Sequence, residues 1–324
     1  MITLDEAQEI ISKEFEKIRF TTDPIELYQP IDYILSVGGK RIRPMLTLIA
    51  CSMFEQDFAK ALPTAVGLEM FHNFTLIHDD IMDNANVRRN RQTVHKKWNY
   101  NVGILSGDAM CIKAYEQVMR CPAEVFTDVF WIFNRTAIQV CEGQQFDMNF
   151  ENRNDVSVAD YMNMIELKTA VLIAACLQIG ALIGGASKKD SETLYEYGKQ
   201  VGIAFQLQDD LLDVYADEKL LGKEIGKDII SNKKTYLLIS ALQAAKGERL
   251  ASLNQWLSLK EFNPQEKVDA IRLIYDELNI RSLCKSAIKE CFEKAEKLLV
   301  SLSVQDNLKK ELRRFAETIK ERVF

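Results

Sequence analysis

Apolar side chains recur along this chain every three to four positions, and no convincing run alternates with period two. Leu4, Ile10, Ile11, Phe15 and Ile18 mark an amphipathic first helix. Asp23-Pro24 reads as a cap followed by proline at the first helical position, so a second helix is expected to run from there to Gly38-Gly39. Pro44 opens a third, to about Phe54. From about Ala59 to Asp83 a long helix carries Leu62, Val66, Met70, Phe74 and Ile77 along one stripe. Helices are expected over about 101–120 and 122–150, broken at Cys121-Pro122. After a loop at Asn152 to Asp155, Ser157 caps the next one. The most apolar stretch, Ala170 to Gly185, is expected to be a buried helix, too short to span a bilayer and interrupted by Gln178. Helices over about 190–215, 233–246, 264–279 and 281–322, the last divided near 303, complete the pattern. The fold expected is all-α, one large helical bundle in a single domain, 1–324.

Two acidic stretches interrupt this framework and resemble each other. The first is Leu76-Ile77-His78-Asp79-Asp80-Ile81-Met82-Asp83, and the second is Phe205-Gln206-Leu207-Gln208-Asp209-Asp210-Leu211-Leu212-Asp213. On a helix, residues four apart share a face, so Asp79 projects with Asp83 and Asp209 with Asp213. Like charges at that spacing repel, and inside apolar runs they need cations to neutralise them. Magnesium suits them: it is hard, takes one or two carboxylates, and shares its shell with phosphates. A lone stretch of this kind is an ordinary solvated helix face. Two copies, each preceded by apolar residues, point instead to helices meeting across a cavity with a metal-clamped diphosphate between them.

Basic segments supply the counterpart. Gly38-Gly39-Lys40-Arg41-Ile42-Arg43-Pro44 sets three cations beside two glycines. Such a segment either admits a phosphate to the backbone or caps a helix C-terminus, and its residues alone leave both open. A polar loop with Arg88, Arg89 and Arg91 follows the first acidic stretch, and all three histidines, His72, His78 and His95, fall within this helix and loop. Lys168-Thr169 enters an apolar run, where a buried lysine demands an anionic partner. Glycines and cations return after the second acidic stretch, at Leu221 to Asp228 and Asn232-Lys233-Lys234-Thr235.

Bulk properties narrow the class. A net charge of −6 argues against a general nucleic-acid binder. Seven dispersed cysteines with no Cys-x-x-Cys fit reduced thiols in a cytoplasmic protein. Residues Met1 to Phe20 lack the continuous apolar core of a secretory signal, and no transmembrane segment is expected. A substrate with a diphosphate head and a hydrocarbon tail satisfies acidic clusters, basic loops and apolar framework together. Metal ions would act as Lewis acids on the departing diphosphate, and an apolar cavity would hold the tail and exclude water.

In this order, from about residue 35 to 236, the motifs resemble those of trans-isoprenyl diphosphate synthases, the polyprenyl synthetase family. The set comprises Gly38 to Pro44, His78 to Asp83 with Arg88-Arg89, Lys168-Thr169, Phe205 to Asp213, and Lys233-Lys234-Thr235. The resemblance implies the isoprenoid synthase type I fold around a central apolar cavity, a homodimer, and about three magnesium ions. It further implies head-to-tail condensation of isopentenyl diphosphate with an allylic diphosphate (dimethylallyl, geranyl or farnesyl). Carried over by position, Asp79 and Asp83 coordinate metals with Asp80 assisting, and Asp209 holds a further ion with Asp210 and Asp213 in its cluster. Arg88, Lys168, Thr169, Gln206, Lys223 and Lys233 bind the allylic diphosphate, and Lys40, Arg43, His72 and Arg89 bind isopentenyl diphosphate. Two positions depart from the family pattern: Gln92 and Leu237 stand where proline is usual, as structural punctuation rather than ligands.

Three rival functions share parts of this pattern. A class I terpene cyclase builds its second metal motif from Asn, Ser and Glu, and leaves the Gly-Gly-Lys-Arg segment unexplained. A head-to-head condensing enzyme such as squalene synthase resembles the chain less for the same reason. A non-catalytic partner subunit usually lacks one acidic motif. Product length depends on what closes the cavity before Asp79. An aromatic five positions upstream, with no insertion inside the acidic motif, resembles short- to medium-chain producers: geranylgeranyl first, farnesyl next. The expected floor is Phe74 with Phe71 behind it. Replacing Phe74 with Ala is then expected to lengthen the products seen by mass spectrometry, and unchanged lengths would place the floor elsewhere.

Overall fold

The computed structural model describes residues 1–216 and 226–321. Helices dominate them, and among the described residues the β structure is a two-residue ladder, β1 (Val87–Arg88) with β2 (Arg91–Gln92), paired antiparallel with Val87 opposite Gln92. In chain order α1 spans Leu4–Lys17, α2 Ile25–Ser36, α3 Ile42–Ser52 and α4 Leu62–Met82. After the ladder come α5 (Val94–Lys97), α6 (Tyr100–Val118), α7 (Phe126–Glu151), α8 (Val158–Ile165), α9 (Val171–Ile183) and α10 (Lys188–Tyr215). Helices Lys227–Ile230, Tyr236–Ala244, Gly247–Ser258, Pro264–Glu277, Ile280–Ser301 and Lys310–Lys320 follow.

Caps account for several starts. Thr3 accepts from the Glu6 backbone while the Glu6 side chain returns to Thr3, a capping box, and Ser157 and Asp160 repeat it before α8. Several boundaries differ from expectation. Pro24 is the residue before α2 rather than its first turn. α3 begins two residues before Pro44, because Arg41 turns left-handed and starts the helix itself. The helix Gly247–Ser258 was not expected: within it only Leu253 is buried, so no apolar stripe marks it. The division of the last long helix falls where expected, with Ile280–Ser301 ending just before 303.

The largest difference lies between α8 and α9. A π-helical turn, Glu166–Ala170, joins them without a break, so one helical run spans Val158–Ile183. By length and composition that run could cross a membrane, which Ala170 to Gly185 alone could not. Yet 67% of its most apolar stretch is buried inside the protein, as expected of a core helix.

The chain forms two compact units. One comprises Met1–Asn134, Ala175–Leu194 and Ser303–Leu312. Its centre is α3, buried continuously from Pro44 to Ser52. The C-terminal part of α9 lies directly on it: a Cβ at Gly184 would come within 2.5 Å of the Cys51 carbonyl oxygen, and one at Gly180 would overlap that of Thr47. α4 packs against α6 as closely, with Gly67 beneath Ala114. The Leu4 amide donates to Glu311 at 3.0 Å, tying the start of α1 to residues 303–312.

The second unit comprises Arg135–Ala174, Tyr195–Leu302 and Arg313–Phe324. Tyr161, Tyr197 and Tyr275 are among its largest fully buried side chains. Gly202 of α10 lies against Ala170, and the Cys284 thiol donates to the Leu207 carbonyl at 3.7 Å. Because the α3–α9 contact in the first unit is backbone on backbone, Gly180→Ala has no flexible neighbour to displace. It is expected to cost about 1–3 kcal/mol, read as a lower thermal midpoint. An unchanged midpoint would mean that α3 and α9 separate freely.

Candidate active site

The first acidic stretch is the end of α4, in the first unit. Asp80 is buried and accepts from Arg88 Nε at 2.9 Å on both carboxylate oxygens; Arg88 Nη2 reaches Asp79 at 3.4 Å. Burial pushes the Asp80 carboxyl up, and Arg88 opposes that shift. Asp79 is half-buried and Asp83 is exposed one turn on, its amide closing the helix on the Asp79 carbonyl. Behind them Phe74 is half-buried, stacked edge-on to His78 at 4.9 Å and 5.4 Å from Phe71. Phe71 is fully buried against Phe133.

Beside this end, in the same unit, the Gly38–Pro44 segment splits its cations by role. Arg41 faces inward, its guanidinium on the Leu35 carbonyl at 3.2 Å and 4.3 Å from the Phe15 ring centre. It caps the preceding helix, while Lys40 is exposed and Arg43 half-buried. Arg89 donates to the Gly38 carbonyl, and its guanidinium occupies the place a Cβ on Gly39 would need. The φ of 142° there is what requires glycine, since the Arg89 side chain could move aside. Arg43, Arg89 and Arg41 all bear on Glu69, which is only 3% exposed. Burial raises the Glu69 carboxyl and the three arginines oppose it. Burial first, then Arg43, Arg89 and Arg88, hold the His72 imidazole well below its ordinary range, so it is neutral. His78 serves packing instead: its ring lies on Gly107 and meets the Ile104 carbonyl at 3.2 Å. His95 is buried and stacks on Tyr100.

The second acidic stretch lies on α10, in the second unit. Asp209 and Asp213 are half-buried on one face, and Asp210 is buried. Asp210 accepts from the Tyr161 hydroxyl and from Gln206 Nε2 at 3.1 Å; Gln206 in turn accepts from Thr169 Oγ1 at 3.2 Å. The π turn supplies both Thr169 and Lys168, whose ammonium donates to Asp147 at 2.6 Å. Such turns accumulate at functional sites. Gly143 of α7 permits this one, since a Cβ there would lie 2.6 Å from Lys168 Cα. The Asp228 amide donates to Asp213 Oδ2 at 3.0 Å, and the Lys233 amide to the Asp228 carbonyl at 2.9 Å. Burial works to raise the Asp147 carboxyl, but Lys233 and Lys168 outweigh it and leave it below its ordinary range. Lys223 lies outside the described residues.

The donor set fits magnesium. Asp79 with Asp83, and Asp209 with Asp213, present oxygen donors one turn apart, and among the described residues no three His, Cys, Asp or Glu side chains converge into a cage. An ion that takes one or two carboxylates and fills its shell with water and phosphate suits that arrangement.

The family model for polyprenyl synthetase matches residues 24–275. The chain belongs to the polyprenyl synthetase family. It is 44% identical over 232 residues to a geranylgeranyl diphosphate synthase of Methanosarcina mazei, covering 71% of each chain. To a short chain isoprenyl diphosphate synthase of Methanocaldococcus jannaschii it is 38% identical, over 82% of this chain and 81% of that one. A crystal structure of a geranylgeranyl pyrophosphate synthase superposes with a TM-score of 0.95 at 41% identity, covering 100% of both chains. The chain is thus a trans-prenyltransferase of the short- to medium-chain group, with the all-α isoprenoid synthase fold. Prenyl synthases of this family depend on magnesium and act on isopentenyl and allylic diphosphates.

Both departures from the family's prolines are accommodated. Gln92 pairs in the ladder, and its carbonyl accepts from Tyr33 at 2.8 Å. Leu237 sits in the first turn of Tyr236–Ala244, where proline and leucine are both tolerated. Glu69, Asp147, Tyr161 and Asp228 were not assigned roles from sequence. Glu69 left a usable signal, a lone charge inside Leu68-Glu69-Met70-Phe71; Asp147 and Tyr161 belong to no acidic repeat.

The Asp210 carboxyl is pushed up to about 7, by burial first and then by Asp228. The folded protein therefore keeps a proton there that the unfolded chain releases near pH 4, and this group's contribution to stability falls as pH rises from about 4 to about 7. In metal-free protein, Asp210→Asn is expected to gain thermal midpoint relative to wild type as pH rises from about 4 to about 7. A difference independent of pH would show that Asp210 is ionised throughout.

Proposed function

We propose that this chain makes geranylgeranyl diphosphate by magnesium-dependent head-to-tail condensation of isopentenyl diphosphate with allylic diphosphates, with farnesyl diphosphate as the alternative end product. The observation that carries this reading is that each acidic stretch is accompanied, within its own unit, by a cation acting on its aspartates: Arg88 bonded to Asp79 and Asp80, and Lys233 bearing electrostatically on Asp210 and Asp213. Asp79 and Asp83 bind magnesium, with Asp80 acting through its hold on Arg88, and Asp209 binds a further ion with Asp213 beside it. Bound magnesium neutralises charge on the departing diphosphate. Arg88, Lys168 and Lys233, with Thr169 and Gln206, grip the allylic diphosphate, and Lys223 is assigned to the same group. Lys40, Arg43, His72 and Arg89 bind isopentenyl diphosphate, the neutral imidazole donating an N–H without adding another buried charge. No side chain is assigned as the base; the released diphosphate takes the proton.

Phe74 is the floor of the chain-length pocket, and Phe71, locked against Phe133, backs it. The enzyme acts as a homodimer, its whole chain working as one domain. Support for the dimer comes from α6 and the start of α7, where Leu105, Ile112 and Trp131 are 60%, 63% and 64% exposed. We assign it to the cytoplasm, as its seven free cysteines suggest.

Purified protein is expected to extend dimethylallyl, geranyl and farnesyl diphosphates with isopentenyl diphosphate and magnesium, stopping at twenty carbons by mass spectrometry. Asp79→Asn and Asp209→Asn are each expected to lower kcat by about 100-fold or more. A stop at fifteen carbons would select farnesyl diphosphate as the product. Magnesium-dependent diphosphate binding without condensation would overturn the reading in favour of a cyclase or a partner subunit.

A further inference from the structure

Lys267, in the helix Pro264–Glu277, is 0% exposed. An ammonium taken wholly out of water needs hydrogen-bond acceptors to offset its desolvation. Its two acceptors are neutral and lie on one short turn: Asn232 Oδ1 at 2.7 Å and the Ile230 carbonyl at 3.2 Å. The Phe262 ring centre lies 4.1 Å away. Asn232 sits at φ 57° and donates its own amide to the Leu257 carbonyl at 3.0 Å, so it is held from two sides. The next residue, Val268, packs onto Gly226, where a Cβ would come within 2.5 Å. One helix turn thus grips the segment 226–232 at both ends.

That segment does not bury much apolar surface of its own; of the helix Lys227–Ile230 only Ile229 is buried. What it carries is polar. The Gly226 amide donates to the Asp213 main-chain carbonyl at 2.6 Å, and the Asp228 amide to the Asp213 carboxylate at 3.0 Å. The Lys233 amide is anchored on the Asp228 carbonyl at 2.9 Å, and Lys233 bears electrostatically on Asp147, Asp210 and Asp228.

We infer that Lys267 is a positioning residue for catalysis: by clamping the turn Ile230–Asn232 it holds Asp228 and Lys233 in register with Asp213, and so sets the affinity for magnesium and the allylic diphosphate. This rests on the reading of the second acidic stretch as a metal and diphosphate site. A purely structural lysine would behave differently. Methionine keeps the stem and volume of the helix side chain but leaves the Asn232 Oδ1 and the Ile230 carbonyl without their donor, so the turn loses its clamp while the helix keeps its packing.

The test uses the full-length enzyme with Lys267→Met and, separately, Asn232→Gly, which keeps the positive φ but deletes the acceptor closest to the ammonium. Both are expected to raise the half-saturating magnesium concentration and the KM for farnesyl diphosphate about 10-fold, the scale seen when outer supports of metal ligands are removed. The KM for isopentenyl diphosphate should stay within about twofold, because its proposed ligands lie in other segments. Folded variants with wild-type magnesium dependence and farnesyl diphosphate KM would overturn the inference. So would a uniform loss in all parameters that tracks a lowered thermal midpoint. Should Lys267→Met fail to fold, Asn232→Gly carries the test alone. Should the wild type bind magnesium and farnesyl diphosphate without condensing them, the proposed function fails. Calorimetric affinities of the same variants for magnesium with farnesyl diphosphate then decide the role of Lys267 separately.

Discussion

Each acidic stretch puts aspartates on consecutive helical positions among apolar side chains, which is tolerable only if every carboxylate is compensated. Both stretches divide the task in the same way. The middle aspartate goes inward and is bound by protein donors: Asp80 by Arg88, Asp210 by Tyr161 and Gln206. The outer pair, Asp79 with Asp83 and Asp209 with Asp213, remains on the more open face, one turn apart. The repeated motif is therefore an anchor flanked by two more open carboxylates, the positions proposed to hold magnesium, and the anchor also orients a group assigned to substrate, Arg88 in one case and Gln206 in the other.

The basic cluster solves the inverse problem. Arg41, Arg43 and Arg89 crowd one region of the first unit, and all three act on the buried Glu69 carboxyl against the burial that raises it. Burial, reinforced by that excess of positive charge, holds the His72 imidazole well below its ordinary range and so favours the neutral form, whose N–H is a donor. Arg41 has been diverted to a structural duty, capping α2, so the three cations of one short motif do not share a role.

Close backbone approach is the other recurring device. Gly180 and Gly184 let α9 lie on the α3 backbone, and Gly143 lets α7 lie under the π turn that presents Lys168 and Thr169. In each case the glycine is chosen by its neighbour across the interface rather than by its own helix, whose propensity it lowers.

Much of this was legible in the chain. Period and caps specify the all-α class and most helices, because a helix records its buried face every three to four residues. Spacing alone puts Asp79 with Asp83 and Asp209 with Asp213 on shared faces, since that follows from the helical repeat. The helix Gly247–Ser258 escaped because it buries too little to leave a stripe, and the π turn because one extra residue per turn has no compositional mark. Which aspartate of each motif turns inward, which arginine of Gly38–Pro44 becomes a cap, and why Glu69, Tyr161 and Asp147 matter were decided only by tertiary structure. Those roles depend on a partner distant in sequence: Arg88 for Asp80, Leu35 for Arg41, Lys168 for Asp147. A linear pattern reports what one helix needs from its own neighbours; long-range charge compensation becomes visible only when the partners meet.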